Sequence, residues 1–151
     1  MGAIMEFATE KQIASFLSTC RIEGQKNFLM AFKKKTWLKS FIDFFIIGGS
    51  YYVQSSVKPK ILVFTPKGIY LMDISDITEN RSNQVVEMPW NQVKDFTYKT
   101  VLNTVRLNWH YQNENYIFSV DVGQVSQHVG QYQFNKDNYD YLAQHDFFRS
   151  Q

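Results

Sequence analysis

The feature that most constrains the fold is an alternation of apolar and polar residues on both sides of a short polar segment, residues 112–115. Every second residue is apolar on each side: Val105, Leu107, Trp109 and Tyr111 before it, and Tyr116, Phe118 and Val120 after it. Successive side chains of a strand point to opposite faces of a sheet. The pattern therefore predicts an antiparallel hairpin with one buried face and one polar face.

Five other segments carry a strand signal, namely residues 27–33, 60–65, 69–74, 85–88 and 92–99, the last with a bulge. In the first of them, Phe28, Met30 and Phe32 are predicted to share one face. Residues 65–68 predict a tight turn, because proline presets φ and glycine suits the last turn position. Pro89 predicts an edge or a strand end, since it has no N–H to donate to a ladder. The polar residues 73–84 predict a loop.

A helix is predicted near each end of the chain. Thr9 and Gln12 have the spacing of a capping box for a helix at about residues 9–22, and Gly24 predicts its end. One face of this helix is apolar: Ile13, Phe16, Leu17 and Cys20. The second helix is expected at about residues 136–149, capped by Asn135 or Asp137. Its apolar face follows the helical period: Tyr139, Leu142, Ala143 and Phe147.

These elements predict one mainly β (α+β) domain over residues 1–151. The links between strands are too short for crossover helices, which favours antiparallel pairing. Aromatic residues make up 17% of the chain, and such side chains suit a pleated, half-buried surface. We expect residues 27–122 to form a curled sheet or small barrel, with the last helix over an open end.

Two stretches resemble the bacterial pleckstrin-homology-like (PH-like) family. Residues 60–71 read KILVFTPKGIYL and are similar to a hairpin of that family, while residues 87–96 read EMPWNQVKDF and are similar to its proline–tryptophan segment. The resemblance spans about residues 27–149. It implies a seven-stranded, strongly bent antiparallel barrel with a C-terminal capping helix, to which this chain adds an N-terminal helix. Many bacterial members have no known ligand, whereas some eukaryotic members bind phosphoinositide head groups through basic residues around the first two strands.

The same region of this chain is basic. Residues 21–67 carry nine Lys and Arg against two Asp and Glu, although the whole chain has a net charge of only +2. A lysine cluster can hold phosphates, and a tryptophan beside it can stack or enter a lipid interface. The candidate ligand or partner contacts are Lys33, Lys34, Lys35, Trp37, Lys39, Lys58 and Lys60. The alternative is a solvated strand end whose lysines discourage edge pairing.

An aromatic segment, residues 41–53, suggests a second role. Its candidate homo-oligomer contacts are Phe41, Phe44, Phe45, Tyr51 and Tyr52, which would form an interface if they are exposed. The alternative is that they fold onto the sheet and are buried. A third hypothesis is single-stranded nucleic-acid binding, which is disfavoured because residues 85–121 carry few basic side chains.

The sequence contains no phosphate loop, dinucleotide fingerprint or nucleophile elbow, so we expect a non-enzymatic binding module without a cofactor. Its three histidines are too scattered to predict a metal site. The single cysteine, Cys20, rules out an intramolecular disulfide and fits a cytoplasmic location. The longest apolar run, residues 41–47, is far shorter than the ~20 residues of a membrane-spanning helix. The expected partner is a protein or an anionic membrane surface.

Overall fold

The computed structural model of the chain describes residues 8–33, 59–123 and 133–149. Seven antiparallel strands form one sheet in the order β4-β3-β2-β1-β7-β6-β5. The strands are β1 Phe28–Lys33, β2 Pro59–Phe64, β3 Gly68–Asp73, β4 Val86–Pro89, β5 Val93–Val101, β6 Thr104–Tyr111 and β7 Glu114–Asp121. The α-helices among these described residues are α1 Glu10–Thr19, α2 Ile74–Thr78 and α3 Gln133–Gln144. The predicted mainly β class and seven antiparallel strands are confirmed.

The predicted barrel is not closed, because the edge strands β4 and β5 do not pair with each other in the described sheet. Side chains from β6 reach β4 instead. Trp109 Nε1 points at Met88 Sδ from 3.4 Å, and the Tyr111 hydroxyl lies 3.4 Å from the Glu87 carbonyl oxygen. Pro89 ends β4 as predicted and offers no N–H for a further ladder. The sheet is therefore bent and open.

Strand β1 is buried on both of its faces. Leu29 and Ala31 belong to the cluster that fills the inside of the curved sheet, together with Trp109. Phe28 and Met30 belong to a second cluster, between the sheet and α1. Phe28 and Met30 do share a face, as predicted, but the opposite face is no less buried. A two-sided core explains why this strand reads as an almost continuous apolar run.

Helix α1 begins as the sequence predicts. Gln12 N donates to Thr9 Oγ1 at 3.1 Å, and Thr9 N donates to Gln12 Oε1 at 2.8 Å, which completes the capping box. The helix ends at Thr19, and Arg21 follows with a φ of 60°. Gly24 is therefore not the stop. A Cβ at Gly24 would lie 2.6 Å from Leu17 Cδ1, so glycine is needed there for close packing.

The predicted loop at residues 73–84 contains α2. The Asp73 backbone N–H donates to Asp76 Oδ2 at 3.0 Å, which caps the first turn of this helix. Ile74 and Ile77 are buried in the cluster beside α1. Sequence reasoning missed this helix because it is only five residues long and just two of its residues are apolar.

Helix α3 begins at Gln133, earlier than predicted, so neither Asn135 nor Asp137 caps it. Leu142 is fully buried, as expected from the apolar stripe. The helix ends at Gln144, and Phe147 is also fully buried but lies in the turn that follows. No described helix is long and apolar enough to cross a bilayer.

Asn135 fills a gap between two strands. In the described part of the chain, β1 pairs with β7 only at Phe32 and Lys33. Where the strands diverge, Asn135 Oδ1 accepts from Met30 N at 2.8 Å, and Asn135 Nδ2 donates to Met30 O at 3.0 Å and to Asp121 O at 3.2 Å. The side chain thus replaces the missing ladder hydrogen bonds, which buried backbone groups require.

Asn138, one turn later on α3, extends this arrangement toward the start of β1. Its Nδ2 donates to Phe28 O at 3.0 Å, while its Oδ1 is buried without a partner in the described part of the chain. Asn135 is therefore satisfied at both ends of its amide, and Asn138 at one end only.

The two asparagines should differ in their contribution to stability. Asn135→Ala removes hydrogen bonds from two buried backbone groups of Met30 and from the partly buried Asp121 carbonyl, so we expect it to lower the free energy of unfolding by about 2–4 kcal/mol. Asn138→Ala removes one bond together with an unpaired oxygen, and should cost only about 1 kcal/mol. Urea unfolding of both variants measures this difference. Equal losses would contradict the bridging role of Asn135.

Candidate functional site

Two of the seven predicted contact residues, Lys33 and Lys60, lie in the described part of the chain. The others, Lys34, Lys35, Trp37, Lys39 and Lys58, lie outside the described residues. So do all the predicted oligomer contacts, Phe41, Phe44, Phe45, Tyr51 and Tyr52. The roles of these residues stay predictions.

Lys33 and Lys60 lie on the same face of two neighbouring strands. Lys60 is the register partner of Ala31, and Lys33 follows Ala31 by two positions on β1. Register partners, and residues two apart in a strand, point to the same face. Ala31 belongs to the cluster inside the curved sheet. Both lysines therefore lie at the rim of that interior, where residues 34–58 leave β1 and enter β2.

The charges of these two lysines are differently engaged. Lys60 Nζ forms an ion pair with Asp73 Oδ1 on β3. Lys33 Nζ lies 5.0 Å from the centroid of the Tyr116 ring, and no carboxylate of the described residues pairs with it. A cation over an aromatic face is held by about 0.5–1 kcal/mol at an exposed site. Lys33 thus keeps its charge available, whereas that of Lys60 is balanced.

Tyr116 is held in its neutral form. Its ring stacks on that of Trp109, with centroids 5.6 Å apart and planes 9° from parallel. Burial raises the pKa of Tyr116 to about 12, and the hydrogen bond and negative charge of Glu114 add to the shift. The neutral Tyr116 phenol adds no negative charge beside Lys33, so it does not neutralise the positive charge of that lysine at the rim.

A second basic surface lies on the outer face of the β5–β6 hairpin, and sequence reasoning missed it. Lys99 stands directly opposite Arg106, and Lys94 opposite His110. All four side chains are exposed, while Leu107 and Trp109 point to the interior. We call Lys94, Lys99 and Arg106 the hairpin cations.

The hairpin cations have few partners near them. None pairs with a carboxylate of the described residues, although His110 Nδ1 lies 3.6 Å from Asp95 Oδ2. A bulge between Lys94 and Thr97 sends Phe96 into the core while Lys94 stays outside. The sequence did contain a signal for this pair. Lys99 and Arg106 are equally distant from a two-residue turn at residues 102–103, and such positions face each other in a hairpin.

The tip of this hairpin is apolar. Leu102 is 93% exposed and Val101 is 54% exposed, and Leu102 has a φ of 56°. Glycine is the usual residue for a positive φ at the first position of a two-residue turn. Gln112 adopts a φ of 57° in the β6–β7 turn, so the backbone alone does not distinguish the tip. What distinguishes the tip is the almost completely exposed aliphatic side chain of Leu102.

Other polar features of the described residues are weaker candidates. No group of three His, Cys, Asp or Glu within residues 8–33, 59–123 and 133–149 could hold a metal ion. Burial raises the pKa of the Cys20 thiol, which keeps it protonated near neutral pH. A recess of about 210 Å³ contains Arg21 and Lys67, but Glu23 lines it as well.

Comparison of the chain with protein-family models, curated proteins and solved structures finds no match.

Tyr116 should titrate late and make stability sensitive to alkali. Its folded pKa of about 12 exceeds the ordinary tyrosine pKa of about 10, so the unfolded chain loses this proton first. The free energy of unfolding should then fall as the pH rises through this window. Burial also raises the pKa of Tyr70 and of Tyr98, so phenolate absorbance should show several late-titrating groups. Tyr116→Phe should remove one of them, whereas Tyr141→Phe should retain them all. A Tyr116→Phe variant with the same late absorbance change as wild type would contradict the burial of this ring.

Like charges at Lys99 and Arg106 should weaken the hairpin. Directly opposed residues of equal charge are unfavourable in antiparallel sheets, and opposite charges contribute about 0.2–1 kcal/mol. We expect Arg106→Glu to raise the free energy of unfolding, and the double variant Lys99→Glu/Arg106→Glu to return it to the wild-type value. A double-mutant cycle in urea measures the coupling. A destabilised Arg106→Glu variant would contradict the register of this pair.

Proposed function

We propose that the chain is a non-enzymatic binding module of PH-like type, which engages an anionic membrane surface or a protein partner through the β1–β2 end of its sheet. The bent sheet of seven antiparallel strands and the helix α3 packed against β1 support the PH-like part of this proposal.

The observation that carries the proposal is the shared face of Lys33 and Lys60 at the rim. These lysines lie at the two ends of residues 34–58, which carry four more lysines and Trp37. Lysine ammonium groups bind phosphates as point charges, and several together attract an anionic surface more strongly than one. Lys33, which has no carboxylate partner in the described chain, begins this basic segment.

The titratable groups of the described residues support binding over catalysis. A nucleophile needs a lowered pKa and an oriented base. The pKa of the Cys20 thiol is instead raised by burial. His145 Nδ1 lies 2.7 Å from the Tyr141 carbonyl oxygen, and His110 faces Asp95 at an exposed bulge.

Co-sedimentation with vesicles tests the membrane form of the proposal. The chain should bind anionic vesicles at low ionic strength, bind neutral vesicles weakly, and be released by salt. Replacing residues Lys33, Lys34 and Lys35 with alanine should weaken binding by up to about 100-fold, because each cation near an anionic surface contributes about 1 kcal/mol.

The matched control removes the same charge elsewhere. Lys11, Lys26 and Lys67 are exposed and lie away from the β1–β2 end, so replacing them with alanine should change binding much less. If both triple variants lose binding equally, the attraction is a property of net charge and the proposed surface is wrong.

A further inference from the structure

We propose that the β5–β6 hairpin is a membrane-contact element, whose apolar tip enters the interface of an anionic bilayer while Lys99 and Arg106 meet the lipid phosphates. This inference rests on the proposed function and deepens it, because it selects a lipid surface as the partner and adds a second contact.

The tip is suited to an apolar environment. Leu102 is 93% exposed, the highest value among the exposed large apolar side chains of the described residues, and its neighbour Val101 is 54% exposed. The turn is held in place from behind, because Val122 N donates to the Asn103 carbonyl oxygen at 2.9 Å. A small, anchored aliphatic projection can enter an interface without rearrangement of the hairpin.

The charges behind the tip call for a negative partner. Lys99 and Arg106 face each other across the two strands, at a cost to hairpin stability. A carboxylate does lie close by, on β7. Asp121 pairs there with Thr104 of β6, two residues before Arg106. Its Oδ1 accepts a hydrogen bond from Gly123 N at 2.9 Å, and it forms no ion pair with either cation in the described chain. Lipid phosphates would supply the missing charge.

The spacing fits a bilayer interface. Lys99 is two residues behind Val101 on the same face of β5, a rise of about 7 Å along a strand. Interfacial elements bury their apolar face about 5–10 Å into the boundary between head groups and acyl chains. With Val101 and Leu102 at that depth, Lys99 and Arg106 lie at the level of the phosphates.

The chemistry of the tip favours lipid over nucleic acid. Single-stranded nucleic acids bind basic grooves that also offer aromatic rings for stacking with bases. The exposed large apolar residues of this hairpin are the aliphatic Val101 and Leu102. Of its aromatic residues, Phe96 and Trp109 are buried and Tyr98 and Tyr111 are half-buried. An aliphatic tip with cations behind it fits an anionic bilayer, which has an apolar interior and negatively charged head groups.

Two variants test the inference without unfolding the hairpin. Leu102→Asn removes the apolar tip, and asparagine tolerates a positive φ, so the fold should be retained. It should weaken binding to anionic vesicles about tenfold, as expected for the loss of one partly buried leucine. Lys99→Glu replaces a repulsive pair with an attractive one, so it should raise the unfolding midpoint while weakening binding about 30-fold.

The control for the tip is Val86→Asn, which removes an exposed aliphatic side chain on β4, away from the hairpin. It should leave vesicle binding unchanged. Equal losses in Val86→Asn and Leu102→Asn would overturn the inference. So would displacement from vesicles by a single-stranded oligonucleotide that binds Leu102→Asn as well as wild type.

Comparison with the Lys33–Lys35 alanine variant separates this inference from the proposed function. If that variant loses binding while both hairpin variants bind normally, the hairpin inference is overturned and the β1–β2 surface stands. If only the hairpin variants lose binding, the inference holds and the β1–β2 surface is wrong. A chain that binds no anionic vesicles overturns the hairpin inference and leaves a protein partner as the remaining form of the proposed function.

Discussion

The side-chain amide of one asparagine, Asn135, bridges strands β1 and β7, where the two halves of the sheet meet. Among the described residues, β1 and β7 pair only at Phe32 and Lys33, and toward the start of β1 the Asn135 amide links Met30 to Asp121. Because the amide donates and accepts at once, the strands can separate without leaving buried backbone groups unpaired. The same contact seats α3 against β1.

The two halves on either side of this gap have different surroundings. Strands β1 and β2 have α1 against one face and the interior cluster against the other, so a partner can reach them mainly at the rim where Lys33 and Lys60 lie. The β5–β6 hairpin buries one face only. Its outer face is free to carry charges that packing does not require, and the hairpin cations are found there.

Phe147 and Leu102 both adopt a positive φ, but only Phe147 gains a buried side chain that offsets the cost of this backbone conformation. Phe147 has a φ of 51°, but its side chain is completely buried among aromatic rings, including Phe64 at a centroid distance of 4.9 Å. Burial of a phenylalanine side chain is worth about 1.5–3 kcal/mol, enough to offset a cost of about 1–3 kcal/mol for such a backbone. Leu102 has a similar φ, and its side chain is 93% exposed. That difference separates a structural turn from one whose side chain is left for a partner.

Short-range patterns in the sequence determined the strands, the α1 capping box and the turn at residues 65–68, because alternation, capping and turn preferences depend on residues a few positions apart. Only the tertiary structure decided the open edge between β4 and β5, the ion pair that balances Lys60, and the role of Asn135. Met30 and Asn135 are 105 residues apart, and no local rule specifies which backbone gap an asparagine will fill. The basic face of the hairpin lies between these cases. Its residues alternate in a readable way, but their pairing depends on a turn register that forms only when the strands meet.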